Sequence, residues 1–417
     1  MADISLDQAV APLVITLDIG SSSARALLYD GRGRRVASVG TQEPYELTST
    51  RDGASEDDPE AAMDRVCRCL DALLGQITPS GRPIGAVAIS SMASTFLALD
   101  GEGRPLTPVI SYADTRNAQD AAALRERLDE RVIHERSGCL LRTSYWPARL
   151  AWLRRTRPDI WRRARGWTSL GEYLELRLFG RRRVSHSVAS WGGLLNRHSL
   201  EWDAGLLDDL GISADQLAPL ADVGERLEGL AQPFAARWPA LAGVPWLPAI
   251  GDGAAANLGS GCVDAGRIAL TVGTTGALRI VVPEVPAIPA GLWAYRVDRR
   301  AALLGGATSE GGNLYAWLHG SLRLDEESDA AMGVLPPDGH GLTMLPFIAG
   351  ERSPGWAGDA KASIHGITLD TTPQEILRAA MESVAYRFGL IAEGLAGAGG
   401  EARQIIASGG ALLRSPV

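Results

Sequence analysis

Two stretches of the chain share one alternation of apolar and polar positions. The first is Leu13-Val-Ile-Thr-Leu-Asp18-Ile-Gly20-Ser-Ser-Ser-Ala-Arg25-Ala-Leu-Leu-Tyr29, and the second is Arg267-Ile-Ala-Leu-Thr-Val-Gly273-Thr-Thr-Gly276-Ala-Leu-Arg279-Ile-Val-Val282. Each is an apolar, β-branched run, then a glycine followed by small hydroxyl residues, then a second apolar run, which predicts a β-hairpin with a polar tip. Glycine lets backbone approach a ligand closely, and successive N–H groups in such a turn form a concave cradle for phosphate oxygens. The repeat therefore predicts two related domains whose glycine turns face each other across a cleft, as a two-jawed phosphate binder.

Between the hairpins the period changes. Ser55-Glu-Asp-Asp-Pro59 supplies capping residues and an early proline, and Val66, Leu70, Leu73 and Leu74 recur at helical spacing, so a helix is expected here. Ile84 to Ile89 has the length of a buried strand, and strand, helix and strand in succession favour an α/β sheet. Further helices are expected over 116–131, 146–156 and 373–395, with a strand over 404–407 that runs into the turn Ser408-Gly409-Gly410-Ala411. The Gly, Pro and Asp content of 200–248 ends in Val244-Pro-Trp-Leu-Pro248, which sets the expected domain boundary: 1–248 and 249–417. The second half is shorter than the first. The chain stops at Pro416-Val417 just after a strand and turn that read as the lead-in to a helix, so an incomplete C-terminal domain is expected.

Composition narrows the function classes. A length of 417 residues fits two domains, and 46% hydrophobic with 22% charged residues excludes disorder as the main state. The N-terminus lacks the regions of a signal peptide and no apolar span is long enough to cross a bilayer, so a cytoplasmic protein without membrane partners is expected. A net charge of −8 argues against nucleic acid despite Arg181-Arg182-Arg183 and similar clusters, which read as solvated charge or a subunit contact in a homodimer. Four scattered cysteines form neither a disulfide framework nor a metal-ligand pattern.

Phosphoryl transfer needs a carboxylate for Mg²⁺, donors around the phosphates and a base on the acceptor hydroxyl. Asp18, at the end of the first strand, is placed to reach nucleotide-bound Mg²⁺ through water, or to cap its own turn. Arg25 is a candidate phosphate contact, or exposed charge on a hairpin. Asp252 stands between two glycines before Ala254-Ala-Ala-Asn257 and is placed to accept a proton, although Gly-Asp-Gly alone is also a turn signal. Asp114 and Arg116 suit a polyhydroxylated ligand, with helix N-capping as their alternative role. No P-loop, dinucleotide fingerprint or nucleophile elbow is present.

Taken in order, these motifs resemble those of the FGGY carbohydrate kinases, members of the actin, hexokinase and Hsp70 ATPase superfamily. Asp18-Ile-Gly20-Ser21-Ser22-Ser23-Ala24-Arg25 is similar to the family's first phosphate motif. Tyr112-Ala-Asp114-Thr-Arg116 resembles its Trp-x-Asp-x-Arg sugar motif, with Tyr in the aromatic position. Gly251 to Gly259 resembles the catalytic-base motif and Gly273-Thr274-Thr275-Gly276-Ala-Leu-Arg279 the second phosphate motif. Gly350 to Trp356 is similar to the second family signature, and Ser408 to Ala411 to the start of the adenosine motif.

The resemblance spans nearly the whole chain and implies two ribonuclease-H-like α/β domains flanking a cleft that holds ATP and sugar. It implies Asp252 as general base, Asp18 on Mg²⁺, Gly20 to Ser23 and Gly273 to Gly276 around phosphates, and Gly409, Gly410 and Ala411 on adenosine. Met92 is followed by Ala93 where xylulose kinases carry Met-His, which removes one sugar contact. The run Gly291 to Arg296, with Gly305-Gly306-Ala307 and Gly311-Gly312-Asn313, looks most like the gluconate kinase branch, and Asn313 joins the nucleotide-side residues. ATP-dependent conversion of D-gluconate to 6-phosphogluconate is the activity implied, with Arg116 near the acid. The alternatives are a kinase for a pentulose, glycerol or related polyol, and a chain that binds sugar without competent ATP binding. The last follows from the departure at Ser415-Pro416-Val417, where the family continues into a helix that helps close the adenosine pocket.

Overall fold

A computed structural model describes residues 3–78, 81–325, 327–399 and 403–412. The chain divides into two compact units, Met1–Ala255 with Tyr295–Arg299, and Ala256–Ala294 with Arg300–Val417. The chain changes unit at 255/256, whereas its sequence places the boundary at 248/249, and the return of Tyr295–Arg299 to the first unit has no signal in the local sequence.

In the first unit, strands β1 (Leu13–Ile19), β2 (Ser23–Tyr29), β3 (Arg35–Pro44), β4 (Ile84–Ser91) and β5 (Ile250–Gly251) form one sheet in the order β5-β4-β1-β2-β3. β1 and β2 are antiparallel, while β1, β4 and β5 run parallel. Alternate residues Leu13, Ile15, Leu17 and Ile19 are buried, as the period of a half-covered strand requires. Helix α1 (Pro59–Ile77) packs against the same core through Met63, Val66, Leu70 and Leu73. Its start is chemically marked: the Asp58 side chain accepts from the Ala61 N–H at 2.8 Å, and Pro59 follows at the first helical position.

The helix expected over 116–131 is two helices, α2 (Ala118–Arg127) and α3 (Glu130–Ser137). Asp129 causes the break, because its carboxylate accepts from the Arg131 and Val132 N–H groups and starts a new helix. Helix α4 (Trp146–Thr156) has the bounds its sequence predicts and buries Trp146, Leu150 and Leu153 in a second core. Helices α5 (Leu170–Phe179) and α6 (His186–Gly192) follow, each ended by a glycine in the left-handed region. Helix α7 (Asp252–Gly259) begins directly after β5.

The second unit repeats the frame. Strands β6 (Arg267–Val272), β7 (Gly276–Val282), β8 (Ala302–Thr308) and β9 (Gln404–Ser408) lie in the order β8-β7-β6-β9 within its sheet. β6 and β7 are antiparallel, and β6 and β9 parallel. Helix α8 (Gly312–Ser321) follows β8, and Ile391 and Leu395 of α9 (Pro373–Gly399) join Ile268, Leu278 and Leu304 in the core. No described helix is long and apolar enough to cross a membrane. The helix lead-in expected at Ser415-Pro416-Val417 lies outside the described residues.

Candidate active site

Parallel pairing brings three segments to one edge of the first sheet. Asp18 pairs in register with Ser90 and Ile19 with Ser91, while Ile250 and Gly251 flank the same two serines from the other side. The carboxyl ends of β1, β4 and β5 thus lead to Asp18, Met92-Ala93 and Asp252, and β1 and β5 lie about 10 Å apart by ordinary strand spacing. Such ends are where open α/β sheets bind ligands.

Asp252 opens α7. Its Oδ1 accepts from its neighbour Gly253 N–H at 2.8 Å and from the Ala93 N–H at 3.3 Å, so two amides orient the carboxylate. Gly251 is required there: a Cβ would come within 2.8 Å of Trp191 Nε1. Two groups tie β5 in place from behind, Glu175 Oε1 accepting from Ala249 N–H at 2.7 Å and Ser185 Oγ donating to Ala249 O at 2.5 Å. Burial pushes the Glu175 carboxyl up to about 8 and its neighbour Glu172 up to about 7.

Asp18 is half-exposed and faces Arg25 across the hairpin at 3.6 Å, a pair of the kind that contributes about 0–1 kcal/mol. In the turn between them, Gly20 N–H donates to Ser23 O at 3.1 Å and Tyr45 donates to Gly20 O, while Ser21 and Ser22 are exposed and Ser23 is buried.

Asp114 and Arg116 hold each other. Asp114 is 2% exposed and accepts from Ser55 N–H at 3.1 Å, from the Arg116 backbone N–H at 3.1 Å and from Arg116 Nη2 at 2.6 Å. Asp114 therefore closes a turn on Arg116 instead of capping α2, which Asn117 precedes. Arg116 also donates to Glu56 and lies over the Trp152 ring at 4.7 Å. Burial opposes its charge, but the bonds to Asp114 and Glu56 outweigh that and hold its pKa above the ordinary value. Met92 is buried.

In the second unit, the β6–β7 turn is braced from α8. Gly312 N–H donates to Gly273 O at 2.7 Å and Asn313 N–H to Thr274 O at 3.1 Å, leaving Thr274 and Thr275 exposed. Asn313 is occupied locally: its Oδ1 accepts from the Gly311 and Leu314 N–H groups, and its Nδ2 donates to Ser309 O. Gly276 is a packing glycine, since a Cβ would meet Phe388 Cζ at 2.2 Å. Gly409 has φ +109°, and Ala411 N–H returns to Val272 O at 3.2 Å. Glu310 is 1% exposed beside this turn and burial pushes its carboxyl up to about 7. Asp338, His340 and Glu382 gather within ligand distance of one another, but they form a hydrogen-bonded network. Leu342 N–H donates to His340 Nδ1 at 3.0 Å, so Nε2 carries the proton toward Glu382, which Arg378 also pairs.

Residues 13–259 match the FGGY family of carbohydrate kinases, N-terminal domain, and residues 268–417 match its C-terminal domain. The chain belongs to the FGGY family of carbohydrate kinases. This kinase is similar to gluconokinase of Bacillus subtilis (strain 168), 28% identical over 389 residues that cover 89% of this chain and 75% of the relative. It is 30% identical over 386 residues to xylulose kinase of Streptomyces rubiginosus, covering 91% and 76%. The crystal structure of gluconate kinase from Lactobacillus acidophilus shares its fold with a TM-score of 0.90 at 26% identity, over 96% of this chain and 81% of that one.

Carbohydrate kinases use ATP, and two glycines of the second unit's turns leave backbone uncovered. An added Cβ at Gly273 or Gly410 would meet nothing within 4 Å, so backbone there is open to a ligand, and the flanking hydroxyls of Thr274 and Thr275 are exposed. A half-exposed carboxylate next to two exposed serines, as at Asp18, is a hard oxygen donor set of the kind Mg²⁺ takes. Local sequence gave no signal for two aromatic residues of the first unit that meet Tyr295: Trp191 stacks on it at 3.9 Å, and the Tyr145 and Tyr295 hydroxyls are 2.6 Å apart. Nor did it flag Arg149, whose guanidinium is buried among these segments.

Proposed function

We propose that this kinase phosphorylates D-gluconate to 6-phosphogluconate with Mg²⁺-ATP, with Asp252 as general base. The acceptor hydroxyl oxygen attacks the γ-phosphorus, the bond to the ADP oxygen breaks, and the hydroxyl proton passes to Asp252. The observation that carries the reading is the Asp252 carboxylate, oriented by the Ala93 and Gly253 amides at the same sheet edge as Asp18. Asp18 would hold Mg²⁺, which neutralises phosphate charge. Gly20 to Ser23, with Arg25, and Gly273 to Gly276 would receive phosphates, and Gly409 to Ala411 the adenosine. Asp114, Arg116 and Met92 would shape the acceptor side, Arg116 acting from within its pair with Asp114. The setting proposed is the cytoplasm.

Gluconate is favoured by the likeness to gluconokinase of Bacillus subtilis and by Ala93 standing after Met92. A pentulose acceptor is the second reading, favoured by the 30% identity to a xylulose kinase. Both are tested by kcat/KM for ADP formation with gluconate, xylulose, ribulose and glycerol. Gluconate ranks first if the proposal holds. A higher value for xylulose overturns the substrate and keeps the chemistry, and no acceptor-dependent ADP with any of the four counts against both.

A further inference from the structure

Arg149 lies on α4, is 1% exposed, and donates Nη1 to Ser94 O and Nη2 to Ser111 O, the latter at 2.6 Å. Among the described residues its hydrogen bonds go to backbone carbonyls and to no carboxylate, and its Nε is buried without a partner. A cation kept this way is costly, and an unbranched apolar side chain would fill the same space beside Trp146 and Leu150 without that cost. Packing alone therefore does not explain an arginine here.

Its two acceptors explain it. Ser94 follows Ala93, the residue whose N–H faces Asp252, and holds a left-handed φ of +54° while its Oγ donates to Trp191 O at 2.7 Å. Ser111 O also accepts from Asp114 N–H at 3.3 Å, and Ser111 Oγ donates to Ser55 Oγ at 2.7 Å. The charges alternate in order: Glu56, Arg116, Asp114, Arg149. Arg149 is the member that balances the two carboxylates against the two arginines. Burial lowers its pKa to about 9, with the Asp114 charge opposing.

We infer that Arg149 is a positioning residue for the acceptor side of the site, fixing the Ser94 and Ser111 carbonyls and so coupling the Ala93 amide on Asp252 to the Asp114–Arg116 pair. This rests on the reading of Asp252 as the base. Loss of the guanidinium frees both segments and leaves the cluster one negative charge in excess, which weighs more on an anionic acceptor than on a neutral one.

The test compares wild type with Arg149→Met, Arg149→Lys and Asp252→Asn, using D-gluconate and D-xylulose as acceptors, ADP binding as a check of folding, and amide hydrogen exchange read by mass spectrometry. In Arg149→Met, peptides over 92–95 and 111–116 should exchange about tenfold faster together, with 13–29 unchanged. The acceptor KM should rise about 30-fold, more for gluconate than for xylulose, while the KM for ATP stays within about twofold. Arg149→Lys should recover part of both effects, since it keeps the charge and one donor point. A folded Arg149→Met with wild-type exchange in both segments overturns the inference, as does a uniform rise in exchange with Lys no better than Met. Should Arg149→Met not fold, Arg149→Lys decides: changes confined to 92–95 and 111–116 support the inference, and wild-type or uniformly raised exchange overturns it. Exchange needs no acceptor, so this arm stands even if Asp252→Asn turns over normally, a result that removes the base and not the clamp.

Discussion

The β1–β2 and β6–β7 hairpins are the same frame with different chemistry at one position. In each, an apolar strand reaches a glycine turn, pairs antiparallel with the strand after it, and pairs parallel on its other side. Two residues before the turn glycine the first unit has Asp18, in register with Ser90; the second has Thr271, in register with Ser408, the two hydroxyls 3.2 Å apart. A carboxylate can take a divalent cation, whereas a hydroxyl pair offers neutral donors only. The first sheet also extends through β5 to Asp252, while β9 of the second leads to Gly409–Ala411, an open backbone turn without a carboxylate. Repeating a frame therefore does not repeat its chemistry: both copies have a glycine turn, and the first has carboxylates at Asp18 and Asp252 where the second has Thr271 and the Gly409–Ala411 backbone.

The largest expected effect comes from removing the carboxylate that has no counterpart in the second unit. Asp252→Asn should lower kcat by about 10³-fold or more while acceptor binding by calorimetry stays within a few fold; near-normal turnover removes Asp252 from the role of base. Next, Asp18→Asn should lower turnover about 100-fold and raise the Mg²⁺ needed for half-maximal rate, whereas Thr271→Val should leave turnover within about twofold. Equal effects of the two would break the comparison. Gly409→Ala forces a Cβ to within 2.2 Å of Val272 O at a φ of +109°, so it should lower stability by about 2–3 kcal/mol in urea denaturation. Gly273→Ala, with open space for its Cβ, should cost far less stability and weaken ADP binding instead.

The remaining effect is in pH. Glu175 titrates near an ordinary 4.5 when unfolded and near 8 when folded. The folded chain thus holds the proton more tightly, and this contribution is full below about pH 4.5 and is lost as pH rises to about 8, at roughly 1.4 kcal/mol per pH unit for one group. Glu175→Gln should flatten the fall in the urea midpoint between pH 5 and 8, and an unchanged slope would assign that fall to other groups.

What local sequence revealed follows from the range of the forces involved. The hairpins, α1 and α4 are written in short-range periodicity and capping, so Asp58-Pro59 and the Gly20 and Gly273 turns were readable. The split at Asp129 was missed because a capping aspartate inside a helical pattern looks like any exposed charge. Asn313, expected on the nucleotide side, has its amide engaged at the start of α8, a local use that motif order does not disclose. Arg149 and Trp191 were illegible for a different reason: what they do depends on burial and on partners far away in the chain, which no window of sequence contains.

The most direct test is to count products in one experiment, incubating the wild-type protein with Mg²⁺-ATP and D-gluconate and measuring ADP and 6-phosphogluconate together, with and without acceptor. A gluconate kinase with this site gives one ADP per 6-phosphogluconate and little ADP without gluconate. ADP released at the same rate with or without the acceptor, and no phosphorylated product, would contradict it.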